Sequence, residues 1–216
     1  MEWNELRDII WKYSKSLLSE NPLIVMAGAH QGEICIDIFK KYFPTSQIFA
    51  FEPCISSFQI CKERLTLDSN IVLYNKGLSS SNETRELNLS YTSNTNSLYK
   101  INLHGMTAPQ KEEIEIIDLI TLNEWYGDRS DDIDLLYLNI EGHELEALKG
   151  GLNILYKVKV IFIEMNVIEI WKNVPLEDDI HKFLCVNNFS LILHDKRKCY
   201  QWTANQYLGV YVNNRI

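Results

Sequence analysis

Between residues 21 and 53 the chain reads strand, glycine turn, helix, strand, acid, and few folds accept that order. Leu23-Ile24-Val25-Met26-Ala27 is a short apolar run that leads directly into Gly28-Ala29-His30-Gln31-Gly32. An amphipathic stretch follows with Ile34, Ile38 and Phe39 on one side, and Pro44 prevents it from continuing. Gln47-Ile48-Phe49-Ala50-Phe51 then delivers Glu52-Pro53. This is the pattern of a nucleotide-binding βαβ half. Glycines let the backbone turn sharply and approach a ligand, and an acid about 20 residues on grips ribose hydroxyls.

The rest of the chain extends the same alternation. Helical spacing marks residues 3–19, with Trp3, Leu6, Ile10, Tyr13, Leu17 and Leu18 on one face, and a further helix is predicted over 55–67. Strands are expected at 71–74, 134–140 and 158–163, the last ending at Glu164, with a helix at 144–155 interrupted by Gly150-Gly151 and another at 176–187. Residues 189–193 and 207–212 read as a final antiparallel edge pair. The Ser/Asn/Thr-rich stretch 79–110 reads as an inserted hairpin plus a flexible excursion, followed by a possible strand at 113–117 and a short helix at 119–126. The expectation is one α/β domain over 1–216: a three-layer Rossmann-like fold whose sheet is mostly parallel with an antiparallel last strand.

Composition narrows the partners. With 29 acidic against 21 basic side chains the formal charge is -8, which argues against a nucleic-acid backbone as the main partner. No apolar run approaches the length of a membrane span. The N-terminus carries Glu2 and Glu5 and has no unbroken apolar core, unlike a signal peptide, so a cytoplasmic location with five reduced cysteines is expected.

The glycine turn lacks the middle glycine of a dinucleotide fingerprint and is followed by no P-loop lysine. A turn without a phosphate site suits a nucleoside with a small amino-acid tail, such as S-adenosylmethionine, with Glu52 accepting hydrogen bonds from the ribose. The bland alternative is that Gly28 and Gly32 only permit close strand–helix packing. Further on, Leu138-Asn139-Ile140-Glu141-Gly142-His143-Glu144 puts polar groups at the carboxyl end of a central strand, the edge at which open α/β sheets bind ligands. Asn139 and Glu141 share a side if the strand geometry extends to Glu141. Glu141, His143 and Glu144 supply metal-ligand types but without an established spacing, so a divalent metal is possible and not predicted.

Together these stations resemble the FkbM-type S-adenosylmethionine-dependent methyltransferases across roughly residues 23–212. The resemblance rests on Gly28-Ala29-His30-Gln31-Gly32, Ala50-Phe51-Glu52-Pro53, Asn75-Lys76-Gly77-Leu78-Ser79, Asn96-Ser97-Leu98, Ile140-Glu141-Gly142-His143-Glu144-Leu145-Glu146-Ala147-Leu148-Lys149-Gly150 and Phe162-Ile163-Glu164. It implies methyl transfer to a hydroxyl of a sugar or other small metabolite. It also implies that Ala27, Gly28, Ala29 and Gly32 line the cofactor, that Glu52 binds its ribose, and that Lys76, Gly77 and Leu78 lie beside its adenine. Asn139, Glu141 and His143 would face the reacting methyl. This chain departs from the family pattern at Met26 and Asn139, where Asp is usual, and at Tyr137, where Lys is usual.

An alcohol needs its proton drawn off before it attacks a sulfonium, and Glu141 and His143 are the candidates. Two rivals remain. A cofactor-binding scaffold without turnover is motivated by Met26 and Asn139, whereas a dinucleotide oxidoreductase is disfavoured by the missing glycine. Nothing in the sequence sets the oligomeric state.

Overall fold

Short apolar runs separated by helices build a seven-stranded sheet and a smaller three-stranded one. The computed structural model describes residues 15–65, 68–102, 109–194 and 206–216. In chain order the elements are β1 (Leu23–Ala27), α1 (Cys35–Lys40), β2 (Gln47–Phe51), α2 (Ile55–Leu65), β3 (Ile71–Tyr74), β4 (Gly77–Leu78), β5 (Glu83–Ser90) and β6 (Gln110–Ile120). After these come α3 (Leu122–Tyr126), β7 (Ile133–Leu138), α4 (Glu144–Gly150), β8 (Val158–Asn166), α5 (Glu177–Val186), β9 (Phe189–His194) and β10 (Gln206–Asn213).

The large sheet has the order β3-β2-β1-β7-β8-β10-β9. β1 lies parallel between β2 and β7, and β8 parallel beyond β7, whereas β10 runs antiparallel to both β8 and β9. This is the expected α/β class, mostly parallel with an antiparallel strand near the edge. Strands β1 and β7 are apolar on both faces because each is covered twice. Val25, Ala27, Leu136 and Leu138 face the side of α3, α4 and α5, while Ile24, Met26, Leu135 and Tyr137 face α1. The order reverses between β1 and β7, so the loops leaving those two strands sit side by side at the carboxyl edge.

Several expectations are corrected. β7 ends at Leu138, two residues early, because Glu141 (φ +55) and Gly142 (φ +100) turn the chain out of the sheet. Residues 119–120 are strand, since Gly77 and Leu78 pair with Leu119 and Ile120. The helix starts only after Thr121, whose side chain accepts the Glu124 amide at 3.0 Å. The helix from Glu144 stops at Gly150, and Leu155–Lys157 forms a separate 3-10 turn. α1, the middle of a helical stretch over 33–42, is wound as a π-helix. Of the excursion, the described part 91–102 is fastened to its surroundings by hydrogen bonds. The predicted helix at 3–19 lies outside the described residues up to 14, and Lys15–Leu17 is a 3-10 turn. The last two residues of the helix expected over 55–67 also lie outside them. No described helix is long and apolar enough to cross a membrane.

Candidate active site

The turn after β1 is shaped by its neighbours. The amides of Gly28 and Ala29 both donate to the Phe51 carbonyl (3.1 and 3.0 Å), and the Asn139 amide donates to the Ala27 carbonyl (3.2 Å). Gly28 has φ +84, and a Cβ there would lie 1.9 Å from the Asn139 carbonyl oxygen. The loops after β1 and β7 are therefore in backbone contact. Gly32 (φ +87) packs on α2, where a Cβ would meet Cys61 Sγ at 3.3 Å. Both glycines have packing reasons to be present, and Gly28 also brings the predicted cofactor and acceptor segments together.

Glu52 follows β2 and is only 7% exposed. Its Oε2 accepts the His30 amide (2.8 Å) and its Oε1 the Cys54 amide (3.0 Å). Burial pushes its carboxyl up to about 7, opposed by those two amides. Each oxygen keeps a second lone pair, so a pair of hydroxyls can still be received. Asn75 locks this corner by donating to the Glu52 and Pro53 carbonyls (3.0 and 2.9 Å). Lys76 is half-buried in the turn before β4, while Gly77 and Leu78 are buried against β6. Glu115 of β6 accepts the first amide of α2 from Ile55 (2.8 Å), a cap that no local sequence signal announces.

The residues after β7 form the other half. Glu141 is a non-glycine residue at positive φ, a conformation that clusters where surrounding structure over-determines it. Here Ser97 Oγ donates to the Glu141 carbonyl (2.7 Å), and Glu144 Oε1 accepts the amides of Ile140 (2.8 Å) and Gly142 (3.4 Å). The pleat that would place Asn139 and Glu141 on one side does not extend to residue 141. Loss of solvation raises the Glu141 carboxyl well above the ordinary range, and the neighbouring Glu164 and Glu144 raise it further. Gln206 Nε2, which also reaches Glu141, donates to Glu164 Oε2 (3.5 Å). Burial likewise raises Glu144 to about 7.

His143 is 2% exposed and engaged at both nitrogens, Nε2 with Ser79 Oγ (3.0 Å) and Nδ1 with Tyr99 Oη (3.3 Å). Burial and then the Arg85 charge hold its imidazole down at about 4, so it is neutral at physiological pH. Among the described residues no three His, Cys, Asp or Glu side chains are arranged to hold a metal ion. A cavity of about 330 Å³ beside Leu18, Tyr42, Phe43 and Pro44 opens at the amino edge of the sheet, away from these groups.

The three departures prove to be neighbours. Met26 is in register with Tyr137 on the adjacent strand, and Asn139 Nδ2 donates to Tyr137 Oη (3.4 Å). Met26 is 0% exposed, with Cys35 Sγ 3.4 Å from its sulfur. Tyr137 stacks on Phe162, with ring centres 5.4 Å apart, and meets Phe39 edge-on. Met26, Tyr137 and Asn139 thus form one neutral, packed unit. Met26→Asp is therefore expected to destabilise the protein by about 3 kcal/mol or more, because the new carboxylate would be buried in an apolar cluster. A chemical-denaturation midpoint unchanged in that variant would sink this account.

Sequence reasoning assigned no role to His30, Ser79, Tyr99, Glu115 or Gln206. Each acts through a partner at least 22 residues away in the chain, as in the 63-residue separation of His30 and Ser93. The usable hint was that His30 and Ser79, like Ser97, fall within family stations.

A buried acid after β2 and a carboxylate-lined turn after β7 flank the switch point of a mostly parallel sheet, which is the Rossmann-like arrangement. The family model for the methyltransferase FkbM domain matches residues 27–191, and the chain belongs to that family. It is 34% identical over 167 residues to the methyltransferase sdnD of Sordaria araneosa, a match covering 64% of this chain and 63% of that protein's length. Among solved structures, methyltransferase FkbM from Methylobacillus flagellatus KT aligns with a TM-score of 0.57 and 16% identity, over 91% of this chain and 45% of that one. Magnesium protoporphyrin IX methyltransferase from Synechocystis PCC 6803, solved with bound S-adenosylmethionine, aligns with a TM-score of 0.57 and 10% identity, over 98% and 79%. These two structural likenesses show the shared fold.

Proposed function

We propose that this chain is an S-adenosylmethionine-dependent methyltransferase that methylates a hydroxyl on a small acceptor, such as a sugar or other metabolite. The observation that carries the reading is the adjacency of two corners through the Gly28–Asn139 backbone contact. One corner holds a buried acid with open lone pairs, and the other holds a pair of interacting carboxylates. Family membership and the methyltransferase relative support it.

The residues present fit the cofactor. Glu52 would receive the ribose hydroxyls, Ala27, Gly28, Ala29 and Gly32 would border the amino-acid end, and Lys76, Gly77 and Leu78 would flank the adenine. When bound, S-adenosylmethionine supplies an electrophilic methyl on a sulfonium. The protein's part is to align an acceptor oxygen with it and to remove the hydroxyl proton. Glu141 and Glu164 resist double ionisation, so one holds a proton while the other accepts. Glu141 is the base in the form in which Glu164 holds the shared proton, and its raised carboxyl then takes up the hydroxyl proton readily. His143, neutral and bound at both nitrogens, positions the Gly142 turn and segment 91–102, and Asn139 presents a polar rim. We place the protein in the cytoplasm, where the described cysteines, all free thiols, would stay reduced.

Calorimetry with S-adenosylmethionine, S-adenosylhomocysteine and NAD, followed by radiolabelled methyl transfer to hydroxylated acceptors, tests the reading. Glu141→Gln is expected to lower turnover about 10²–10⁴-fold, the usual worth of a general base, while leaving S-adenosylhomocysteine affinity within about twofold. Unchanged turnover in that variant would remove Glu141 from the mechanism. The neutral Met26–Tyr137–Asn139 unit favours a second reading, a cofactor-binding scaffold. Tight cofactor binding without methyl transfer to any acceptor would select it.

A further inference from the structure

The described segment 91–102 crosses the carboxyl edge of the sheet like a strap, and its two ends are held very differently. At the acceptor end, Ser97 Oγ binds the Glu141 carbonyl (2.7 Å) and Tyr99 Oη meets His143 (3.3 Å). The Lys100 carbonyl accepts the Lys172 amide (2.8 Å), and the Asn102 amide donates to the Ile170 carbonyl (2.9 Å). Tyr99 and Leu176 also pack on the buried group Ile170, Trp171 and Val174. At the cofactor end, Tyr91 is 73% exposed, and Thr92 and Asn94 are exposed too. Among the described residues, one hydrogen bond joins this end to the glycine turn, from Ser93 Oγ to His30 Nε2 (2.8 Å). A weaker contact runs from Asn96 Nδ2 to Cys54 Sγ (3.6 Å). The base of this end is closed on β5, where the Ser90 amide donates to Asn96 Oδ1 (2.8 Å), Ser90 Oγ to the Thr95 carbonyl (2.9 Å) and the Ser97 amide to the Asn88 carbonyl (3.1 Å).

We infer that loop 91–96 is a lid over the cofactor, hinged at its base where Ser90 and the Asn88–Ser97 pair hold it, and latched by His30 and Ser93. The inference rests on the cofactor reading above. His30 suits the role because its backbone and ring are both fixed. Its amide is bound to Glu52, the ribose acid, and its Nδ1 faces Glu33 Oε2 (3.3 Å). A ring nitrogen facing a carboxylate fixes the orientation of the imidazole, which holds Nε2 against the Ser93 hydroxyl. The latch therefore reports on the geometry of the Glu52 corner. Cofactor can exchange by release of 91–96 while the acceptor wall at 97–102 stays in place. Such gating commonly governs ligand release.

The test combines hydrogen exchange of the ligand-free protein with the dissociation rate of S-adenosylhomocysteine. Ser93→Ala and His30→Ala are each expected to speed exchange in 91–96 but not in 97–102. Each is expected to raise the dissociation rate about five- to tenfold, the scale of one hydrogen bond. The double variant should add nothing to either single one, and Ser93→Thr, which keeps the hydroxyl, should behave as the unaltered chain does. Ser93→Ala carries the test if His30→Ala fails to fold at its positive φ. The latch is overturned if the unaltered chain binds S-adenosylhomocysteine yet neither exchange nor dissociation responds in Ser93→Ala. If the unaltered chain binds no S-adenosylhomocysteine, the cofactor reading itself falls and the lid with it, whatever the exchange pattern.

Discussion

Gly28→Ala is expected to lower the melting temperature by about 8–16 °C, or to prevent folding, as read by thermal circular dichroism. An added Cβ would lie 1.9 Å from the Asn139 carbonyl oxygen and 3.0 Å from its carbon, inside any tolerable contact. The obstacle is backbone, so no side-chain rotation relieves it. β1 and β7 are held by ladder hydrogen bonds up to the residues just before the contact, so neither strand can retreat alone. The φ of +84 adds strain for any L side chain. Together these belong to the exceptional class of losses above about 4 kcal/mol, and a domain of this size loses about 2–4 °C per kcal/mol. Gly32→Ala is the comparison, since it carries the same strain (φ +87) but its Cβ would meet side chains alone, Cys61 Sγ at 3.3 Å and Leu65 at 3.5 Å. Equal and small losses in the two variants would mean that the loops are not in the contact described.

Glu52→Ala is expected to weaken S-adenosylhomocysteine binding about 10²–10⁴-fold, as read by calorimetry. Two charge-assisted hydrogen bonds to the ribose would be lost, each worth about 1.5–3 kcal/mol, and the His30 and Cys54 amides would lose their acceptor. The same group gives binding a pH dependence of defined sign. In the ligand-free protein burial raises the carboxyl to about 7, so a proton is held there at slightly acidic pH. Ribose hydroxyls favour the ionised form, which accepts at both oxygens, so affinity should rise as pH climbs from about 6 to 8 with release of a proton. Stability of the ligand-free fold moves the opposite way. The raised carboxyl contributes stability fully below its ordinary value near 4.5, and that contribution is lost as pH rises through about 7. His143 works against this at lower pH. Its imidazole, held down at about 4, contributes stability above 6.5 that is lost as pH falls toward 4. A binding constant that is flat in pH in the unaltered chain, or unchanged in Glu52→Ala, would contradict the ribose role.

What the sequence made legible follows from where the information is local. β1 and β2 were readable to the residue because doubly covered parallel strands are unbroken apolar runs, and the edge strand β3 because its four apolar and aromatic residues stand between polar turn residues. Gly28, Gly32 and Glu52 were readable because turn, helix and acid follow within one unit. β4 was missed because two residues carry no periodicity, and its pairing with Leu119 and Ile120 also turned an expected helix into strand. The π-winding of α1 left no pattern that differs from an ordinary amphipathic helix. At the site, Glu141 was nameable as a polar residue after a strand, but its left-handed backbone was not, because Ser97 and Glu144 impose it from outside the segment. Met26 was visible as a departure, yet its meaning depended on Tyr137 being its neighbour across the sheet.

The hairpin of β5 and β6 has a consequence for how acceptor choice can change. Segment 91–109 leaves β5 and returns to β6, and the register of those strands brings Ser90 opposite Gln110. Its two ends are thus pinned together whatever lies between them, and lengthening such a loop adds little closure entropy. The His30–Ser93 and Asn96–Cys54 contacts tie the described part of this segment to the glycine turn and the Glu52 corner, whereas the large sheet does not pair with it. On the acceptor reading proposed above, segment 91–102 is an exchangeable cassette on a fixed sheet. Grafting the corresponding segment between family members is expected to alter which acceptor is methylated.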